Sequence, residues 1–156
     1  MRALLAALAV ALSASPAGAV PLAVPALDFQ DSSGELADQS GAHQQRLDRF
    51  VAALRSGLTE SGRVEVVVPD CGDCSPARTP FPAMAEATRA AGAELLLVGN
   101  IHKVSTLIGT VRVTLIDLPG DRVVCTRVLS YRGDTDQAWT RAASFAAGDV
   151  VAHCLP

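Results

Sequence analysis

Residues 107–132 read LIGTVRVTLIDLPGDRVVCTRVLSYR, and this stretch decides the predicted fold. Polar and apolar side chains alternate over 107–117, which is the pattern of a strand that buries one face. The LPGD tetrapeptide at 118–121 is typical of a tight turn, because Pro and Gly adopt the backbone angles that turns require. The sequence therefore predicts an antiparallel hairpin, with 122–132 as the returning strand.

Upstream of the hairpin, the apolar spacing switches repeatedly between that of a strand and that of a helix. The predicted elements, in chain order, are a strand at 22–29, a helix carrying the apolar residues between 47 and 58, a strand at 64–68, a helix at 83–91, a strand at 95–104, the hairpin, and a helix from 134 onward. Helices placed between strands imply at least one parallel pair of strands. We therefore predict an α/β (α+β) fold: a single mixed sheet of about five strands with an antiparallel C-terminal hairpin and three helices.

Residues 1–19 have the three parts of a secretory signal peptide. Arg2 supplies the positive charge, 3–12 is an apolar run, and Ala17-Gly18-Ala19 is a cleavage site of small residues. The apolar run is too short to span a bilayer, which takes roughly 20 residues. We predict a signal peptide over 1–19 and a single secreted α/β domain over 20–156, with no membrane span after cleavage. The excess of Arg over Lys is typical of GC-rich bacterial coding, and we therefore expect a periplasmic location.

Composition narrows the classes of function. The 156-residue chain is 49% hydrophobic with a net charge of −3, so a disordered chain is excluded. It has no run of basic residues, which argues against nucleic acid as a partner. The sequence contains neither a GxSxG elbow nor a Gly-rich phosphate loop. We therefore expect a protein that is not an enzyme and that uses no cofactor.

The four cysteines offer the most pointed chemistry. Cys71 and Cys74 form a CxxC motif, for which a disulfide is the default in an oxidising compartment; a redox-active pair and a metal site are the alternatives. The SPARTP segment at 75–80 is a poor helix start, which favours a structural disulfide over a redox site. Cys125 and Cys154 are predicted to pair, the alternative being two buried free thiols. The chain has no second close pair of ligands to complete a zinc site, so we predict no metal.

Six residues are candidates for binding a partner or ligand. They are Lys103, Ser105, Arg132, Asp134, Asp136 and Trp139. Lys103 shares a strand with His102, and neighbouring strand residues point to opposite faces, so these two side chains cannot line one pocket.

The RGDTD segment at 132–136 has two interpretations. In the first it is a strand-to-helix junction, in which Asp134 caps the helix and a Gln three residues later completes a capping box. Trp139 then packs inward. In the second, Arg132, Asp136 and Trp139 form a patch that binds a ligand or partner.

Three separated motifs resemble those of a family of small secreted proteobacterial proteins known as a domain of unknown function. The motifs are the CxxC at 71–74, GNIHKVSTL at 99–107, and RGDTDQAW at 132–139. This sequence has Asp134 where the family has Asn, and Ala138 where it has Ser. The resemblance implies a distant relation to the α/β domain of periplasmic TolB-like and curli-secretion-type proteins, which serve in assembly and partner binding.

Two functions follow as hypotheses. The first is a non-enzymatic periplasmic accessory module that binds a protein partner or a small ligand. The second is a thiol-disulfide or metal-handling accessory protein that uses Cys71 and Cys74.

Overall fold

The computed structural model describes residues 18–155, so the predicted signal peptide lies almost entirely outside the described residues. The elements, in chain order, are β1 (Val20–Ala23), β2 (Asp28–Asp31), α1 (Ser40–Glu60), β3 (Val64–Val67), α2 (Phe81–Ala90), β4 (Leu95–Lys103), β5 (Ile108–Asp117), β6 (Arg122–Arg132) and α3 (Asp136–His153). Within residues 18–155, no helix combines the length and the hydropathy needed to cross a membrane.

The strands form one mixed sheet in the order β3-β1-β4-β5-β6, with β2 also paired to β4. β1 runs parallel to β3 and β4, and β2 runs parallel to β4. β5 runs antiparallel to both β4 and β6. The predicted α/β class is confirmed, with its mixed sheet, C-terminal hairpin and three helices. The sheet has six strands instead of about five.

The sixth strand arises because the strand predicted over 22–29 is interrupted. Ala23, at the end of β1, pairs with Leu96 of β4, and Asp28, at the start of β2, pairs with Asn100 of β4. Residues 24–27 therefore lie opposite residues 97–99, which leaves one extra residue on the side of β1 and β2. Pro25 lies in the resulting bulge and has no N–H for a ladder. The N–H of Ala26 donates instead to the carbonyl of Cys74, at 3.0 Å. The prediction of one continuous strand was therefore wrong, and the loop that contains the CxxC motif is tied to the bulge.

The main core lies between one face of the sheet and the pair of helices α1 and α3. Its largest fully buried side chains include Trp139, Phe50, Leu54, Leu58, Ile101 and Leu115. The two helices approach closely because they meet through small residues: a Cβ at Gly57 would lie 2.8 Å from the Cβ of Ala147. α2 covers the other face beside β1 and β4, where Met84 packs against Leu96 in a second, smaller core.

α1 begins well before its predicted apolar stretch. The first apolar residue of that stretch is Leu47, whereas the helix starts at Ser40, about two turns earlier. One turn before Leu47, the buried stripe of α1 continues through His43, which is 3% exposed. These two additional turns carry residues of the site described below.

Candidate functional site

A cluster of ionisable side chains lies where β2 and β4 end. Asp31 and Lys103 are the last residues of these parallel strands and are paired in register, which places both at one edge of the sheet. The start of α1 and the segment before α3 lie against the same edge. We call these side chains the charge cluster: Asp31, Glu35, His43, Arg46, Lys103, Asp134 and Asp136.

Lys103 is the buried cation of the charge cluster, with an exposed fraction of only 2%. Its Nζ donates to Glu35 and to Asp134 (2.8 Å) and lies 3.8 Å from Asp31. Burial alone lowers the pKa of Lys103. The hydrogen bonds to Asp134 and Glu35 outweigh burial, so the pKa lies above its ordinary value and the amine is held in its charged form.

Asp134 is the shared acceptor of the charge cluster. Its carboxylate accepts from His43 Nε2 (2.8 Å), Arg46 Nη1 (2.9 Å) and Trp139 Nε1 (3.0 Å), in addition to Lys103. Burial raises the pKa of Asp134, but the hydrogen bonds from Lys103, His43 and Trp139 have a larger effect in the opposite direction. The pKa of Asp134 therefore lies well below its usual range. Asp134 is therefore held as an anion.

The prediction that Asp134 caps the last helix was wrong. Thr135 is the N-cap of α3, and its hydroxyl accepts from the N–H of Ala138 at 3.2 Å. The Asp134 carboxylate is engaged elsewhere: it accepts hydrogen bonds from the side chains of Lys103, Arg46 and His43 and from the indole N–H of Trp139. The capping box with the Gln three residues later is consequently not formed.

The outer part of the charge cluster joins α1 to α3 at the surface. Arg46 Nε donates to Asp136 Oδ1 at 2.9 Å, and Arg49 Nη1 donates to Asp136 Oδ2 at 2.8 Å. The Asp136 and Arg49 side chains are 57% and 54% exposed. Solvent screens such a pair, so its contribution to stability is small.

An aromatic layer supports the charge cluster from below. Trp139 is 2% exposed, and its ring centroid lies 5.5 Å from Phe29, 6.1 Å from His43 and 6.1 Å from Tyr131. The Tyr131 ring crosses Gly109, where a Cβ would overlap it. Trp139 thus packs inward, and its indole N–H donates a hydrogen bond to Asp134.

The structure separates the six candidate binding residues into two groups. Lys103, Asp134, Asp136 and Trp139 come together in or against the charge cluster. Ser105 does not: it lies in the turn between β4 and β5, where its hydroxyl accepts from the N–H of Ile108 at 3.1 Å. Arg132 is exposed at the end of β6, on the opposite face of the sheet from the cluster. A binding role for these residues stays a prediction.

The expected opposition of His102 and Lys103 is present in the structure. Gln30 and Asp31 pair with them in β2, so the two pairs alternate between faces. His102 hydrogen-bonds Ser32 at 2.7 Å near the surface, while Lys103 points into the charge cluster.

Sequence reasoning missed four members of the charge cluster: Asp31, Glu35, His43 and Arg46. His43 could have been found, since it lies four residues before Leu47 and so extends the apolar stripe by one turn. Glu35 lies in a loop without periodicity, and the sequence carries no signal for its contact with Lys103. Arg46 lies on a charged face that resembles any solvated helix surface.

A cleft of about 720 Å³ opens beside the charge cluster, between the 31–40 segment and the start of α1. Asp31, Glu35 and His43 line its wall on the cluster side, and Arg78 lies among the other lining residues. Among the described residues, no group of three or more His, Cys, Asp or Glu side chains is placed to hold a metal ion.

The cysteines form two pairs at disulfide distance, Cys71 with Cys74 and Cys125 with Cys154. Their Cα separations of 5.5 and 5.6 Å fit disulfide geometry. α2 begins only at Phe81, so neither member of the CxxC lies at a helix N-terminus, where a reactive thiolate is stabilised. The second pair joins β6 to the end of α3.

Comparison with solved structures places this fold among known ones. The PelC dodecamer from Paraburkholderia phytofirmans is 15% identical, with a TM-score of 0.57 over 88% of this chain and 89% of that chain. TolB from Acinetobacter baumannii is 15% identical, with a TM-score of 0.52 over 85% of this chain and 28% of that chain. Lipoprotein GNA1162 from Neisseria meningitidis is 14% identical, with a TM-score of 0.51 over 88% of this chain and 99% of that chain. At these identities the likeness shows the fold alone.

Sequence comparison shows the family. No curated protein matches the sequence significantly. The model of the DUF3280 family, which is described as a protein of unknown function (DUF2380), matches residues 20–150 and therefore spans the sheet, the charge cluster and most of α3. The resemblance drawn from the three motifs is confirmed, and the chain belongs to this DUF3280 family of proteins of unknown function.

Proposed function

We propose that this protein is a non-enzymatic accessory module of the periplasm that binds another protein of the cell envelope. The charge cluster then serves to hold the binding surfaces rigidly in place. It locks the 31–40 segment, α1 and α3 onto the edge of the sheet.

The observation that carries the proposal is the pairing within the charge cluster: Lys103 is buried, and its ammonium group is bound by the carboxylates of Glu35 and Asp134. The direction of the pKa shifts agrees with this pairing. A general acid or base works best when its pKa is moved toward the working pH. Here the opposite holds, because the pKa of Lys103 is raised and that of Asp134 is lowered. Both groups are fixed in their charged forms at neutral pH, which suits a structural ion pair and not proton transfer.

The comparisons support an accessory role. The similar structures include a lipoprotein and a protein described as a dodecamer. A dodecamer is an assembly that rests on protein–protein contacts, which agrees with a protein that binds another protein. The CxxC loop lacks the helix N-terminus of a redox site, which weighs against the thiol-disulfide alternative.

The proposal is tested by photo-crosslinking in living cells of the source bacterium. A photoreactive amino acid is placed singly at exposed apolar positions on different surfaces, namely Leu36, Phe81, Val128 and Phe145. We expect the exported protein to give a discrete adduct with another protein from one surface and not from the others. Export and processing are checked by the mass of the mature chain, which should begin at Val20.

Two results would contradict the proposal. One is the lack of any adduct from all four positions in exported, folded protein. The other is retention of the precursor mass in the cytoplasm. Lys103→Met supplies a further check. If the charge cluster only stabilises the fold, this substitution should reduce the yield of the crosslinked adduct in proportion to the loss of folded protein and no more.

A further inference from the structure

The longest free edge of the sheet is β6. It spans Arg122–Arg132 and pairs only with β5 among the described strands. Sheet edges of this length are usually protected, since their unpaired N–H and C=O groups can pair with another chain. The first half of β6 is protected by the register shift near Leu115 and by Arg127, which turns inward to Asp149 (2.6 Å). The 128–132 half has neither device.

A groove of about 300 Å³ runs beside that unprotected half, between β6 and α3. Its floor is apolar, formed by Leu129, Tyr131 and Ala142 among others. At its rim stands Phe145, which is 64% exposed on a helix whose neighbouring apolar residues are small. Val128, on the opposite face of β6, is 55% exposed. A strand added about 4.8 Å beyond β6 would therefore cover apolar surface on both of its faces.

The charges around the groove are of one sign. Arg141 supplies the positive charge on the helix side of the groove, and the lining residues include no Asp or Glu. Arg132 is also among them, but its side chain points to the opposite face of the sheet. Within residues 18–155 the Arg141 guanidinium has no ion-pair partner. An occupant with carboxylate side chains would supply one. Arg141 and Phe145 lie one helical turn apart, about 6 Å along α3, which is close to the roughly 6.7 Å between alternate residues of a strand.

A second copy of the chain is a poorer occupant. β6 contains Arg122, Arg127 and Arg132 and no acidic residue. Pairing β6 with β6 from another copy therefore offers no opposite-charge pair in any register, and like charges across a sheet are unfavourable.

We propose that β6 and the adjoining groove bind an extended, acidic peptide segment of another protein, added as a further strand of the sheet. This rests on the proposed function, of which it names the binding surface and the chemistry of the partner. The free backbone groups of residues 128–132 supply main-chain hydrogen bonds. Phe145 contacts an apolar side chain, and Arg141 pairs with an acidic side chain two positions away on the same face of the added strand.

The test uses a fluorescent eight-residue peptide with the pattern Leu-Val-Asp-Glu repeated twice, in which apolar and acidic side chains alternate along each face of the strand. The control peptide has Lys in place of the acidic residues. Anisotropy titration should show binding of the acidic peptide only, weakened by added salt. Phe145→Ala and Arg141→Glu should each weaken it about tenfold or more, the loss that marks an interface hot spot. Phe81→Ala and Arg89→Glu, exposed residues of α2, are the matched controls and should leave binding unchanged.

Hydrogen exchange locates the bound peptide independently of the variants. The peptide should slow exchange of the amides of 128–132 and leave those of β3, the opposite edge, unchanged. Equal binding of both peptides, no binding by either peptide, or equal loss in α2 controls and groove variants would each overturn the inference. Crosslinks from Leu36 or Phe81 without any from Val128 or Phe145 would overturn it while leaving the proposed function intact. A lack of crosslinks from every position would remove both.

Discussion

Replacing Lys103 by Met should be among the most damaging single changes outside the apolar core. Met keeps the length and apolar volume of the side chain, so the substitution removes mainly the charge. Lys103 is 2% exposed, and its loss leaves Glu35 and Asp134 without their shared cation.

The magnitude follows from the partners that remain. Removing one member of a buried ion pair costs about 3–5 kcal/mol, because the other charge stays buried and uncompensated. Asp134 retains its donors from His43, Arg46 and Trp139, and Glu35 is 25% exposed and can be hydrated. We therefore expect the lower end, about 3 kcal/mol. For a domain of this length that corresponds to a fall in Tm of about 10 °C.

The assay is equilibrium unfolding in urea at neutral pH, with the free energy of unfolding and the m-value fitted together. Arg49→Gln is the matched control, since the Arg49 and Asp136 side chains are both more than half exposed. That variant should cost less than about 1 kcal/mol. A loss below about 1 kcal/mol for Lys103→Met at an unchanged m-value, or equal losses for the two variants, would refute the structural role assigned to Lys103.

Three further predictions concern pH, packing and the disulfides. Because the folded-state pKa of Asp134 is depressed, its stabilisation is present above the unfolded pKa of 3.8 and is lost as the pH falls through the lower folded value. Acid unfolding followed by circular dichroism should show a shallower pH dependence for Asp134→Asn, and an unchanged profile would contradict this. Gly109→Ala should destabilise by about 1–3 kcal/mol, since the added methyl overlaps the tyrosine ring packed there, and a neutral thermal shift would exclude that packing. Mature protein that is denatured but not reduced should contain no titratable free thiols. From the lengths of the loops that the disulfides close, loss of the Cys125–Cys154 bridge should lower the free energy of unfolding by about 3.6 kcal/mol, and loss of Cys71–Cys74 by about 2 kcal/mol. Free thiols in the native protein, or a Cys71–Cys74 potential well above roughly −300 mV, would favour the redox alternative.

Local patterns in the sequence were sufficient to predict the fold. The alternation over 107–117 and the LPGD turn predict the β5–β6 hairpin, which is present in the structure. The spacing from Leu47 to Leu58 predicts the buried face of α1. The split of the first strand was missed. Pro25 shows that this position cannot donate to a strand ladder, but it does not show that the next N–H, that of Ala26, bonds to Cys74 instead of to a strand.

The charge cluster was only half predictable. Lys103, Asp134 and Trp139 stand out as motif residues, but their partners lie far away in the chain. Glu35 is 68 residues from Lys103, and His43 is 91 residues from Asp134. The local rule for helix caps assigned Asp134 to the helix end. A buried lysine, an arginine and a histidine compete more strongly for a carboxylate than one backbone N–H does, and that competition depends on tertiary structure.

The central claim is that the charge cluster is a structural ion-pair network and not a catalytic centre, and the chain offers a direct measurement of it. Lys103 is the only lysine in the sequence, so lysine labelled with ¹³C at Cε gives one side-chain signal without assignment. An NMR pH titration of that signal in the folded protein should give a pKa above the ordinary value of 10.5. A pKa lowered toward neutrality, as a proton-transferring lysine requires, would contradict the account.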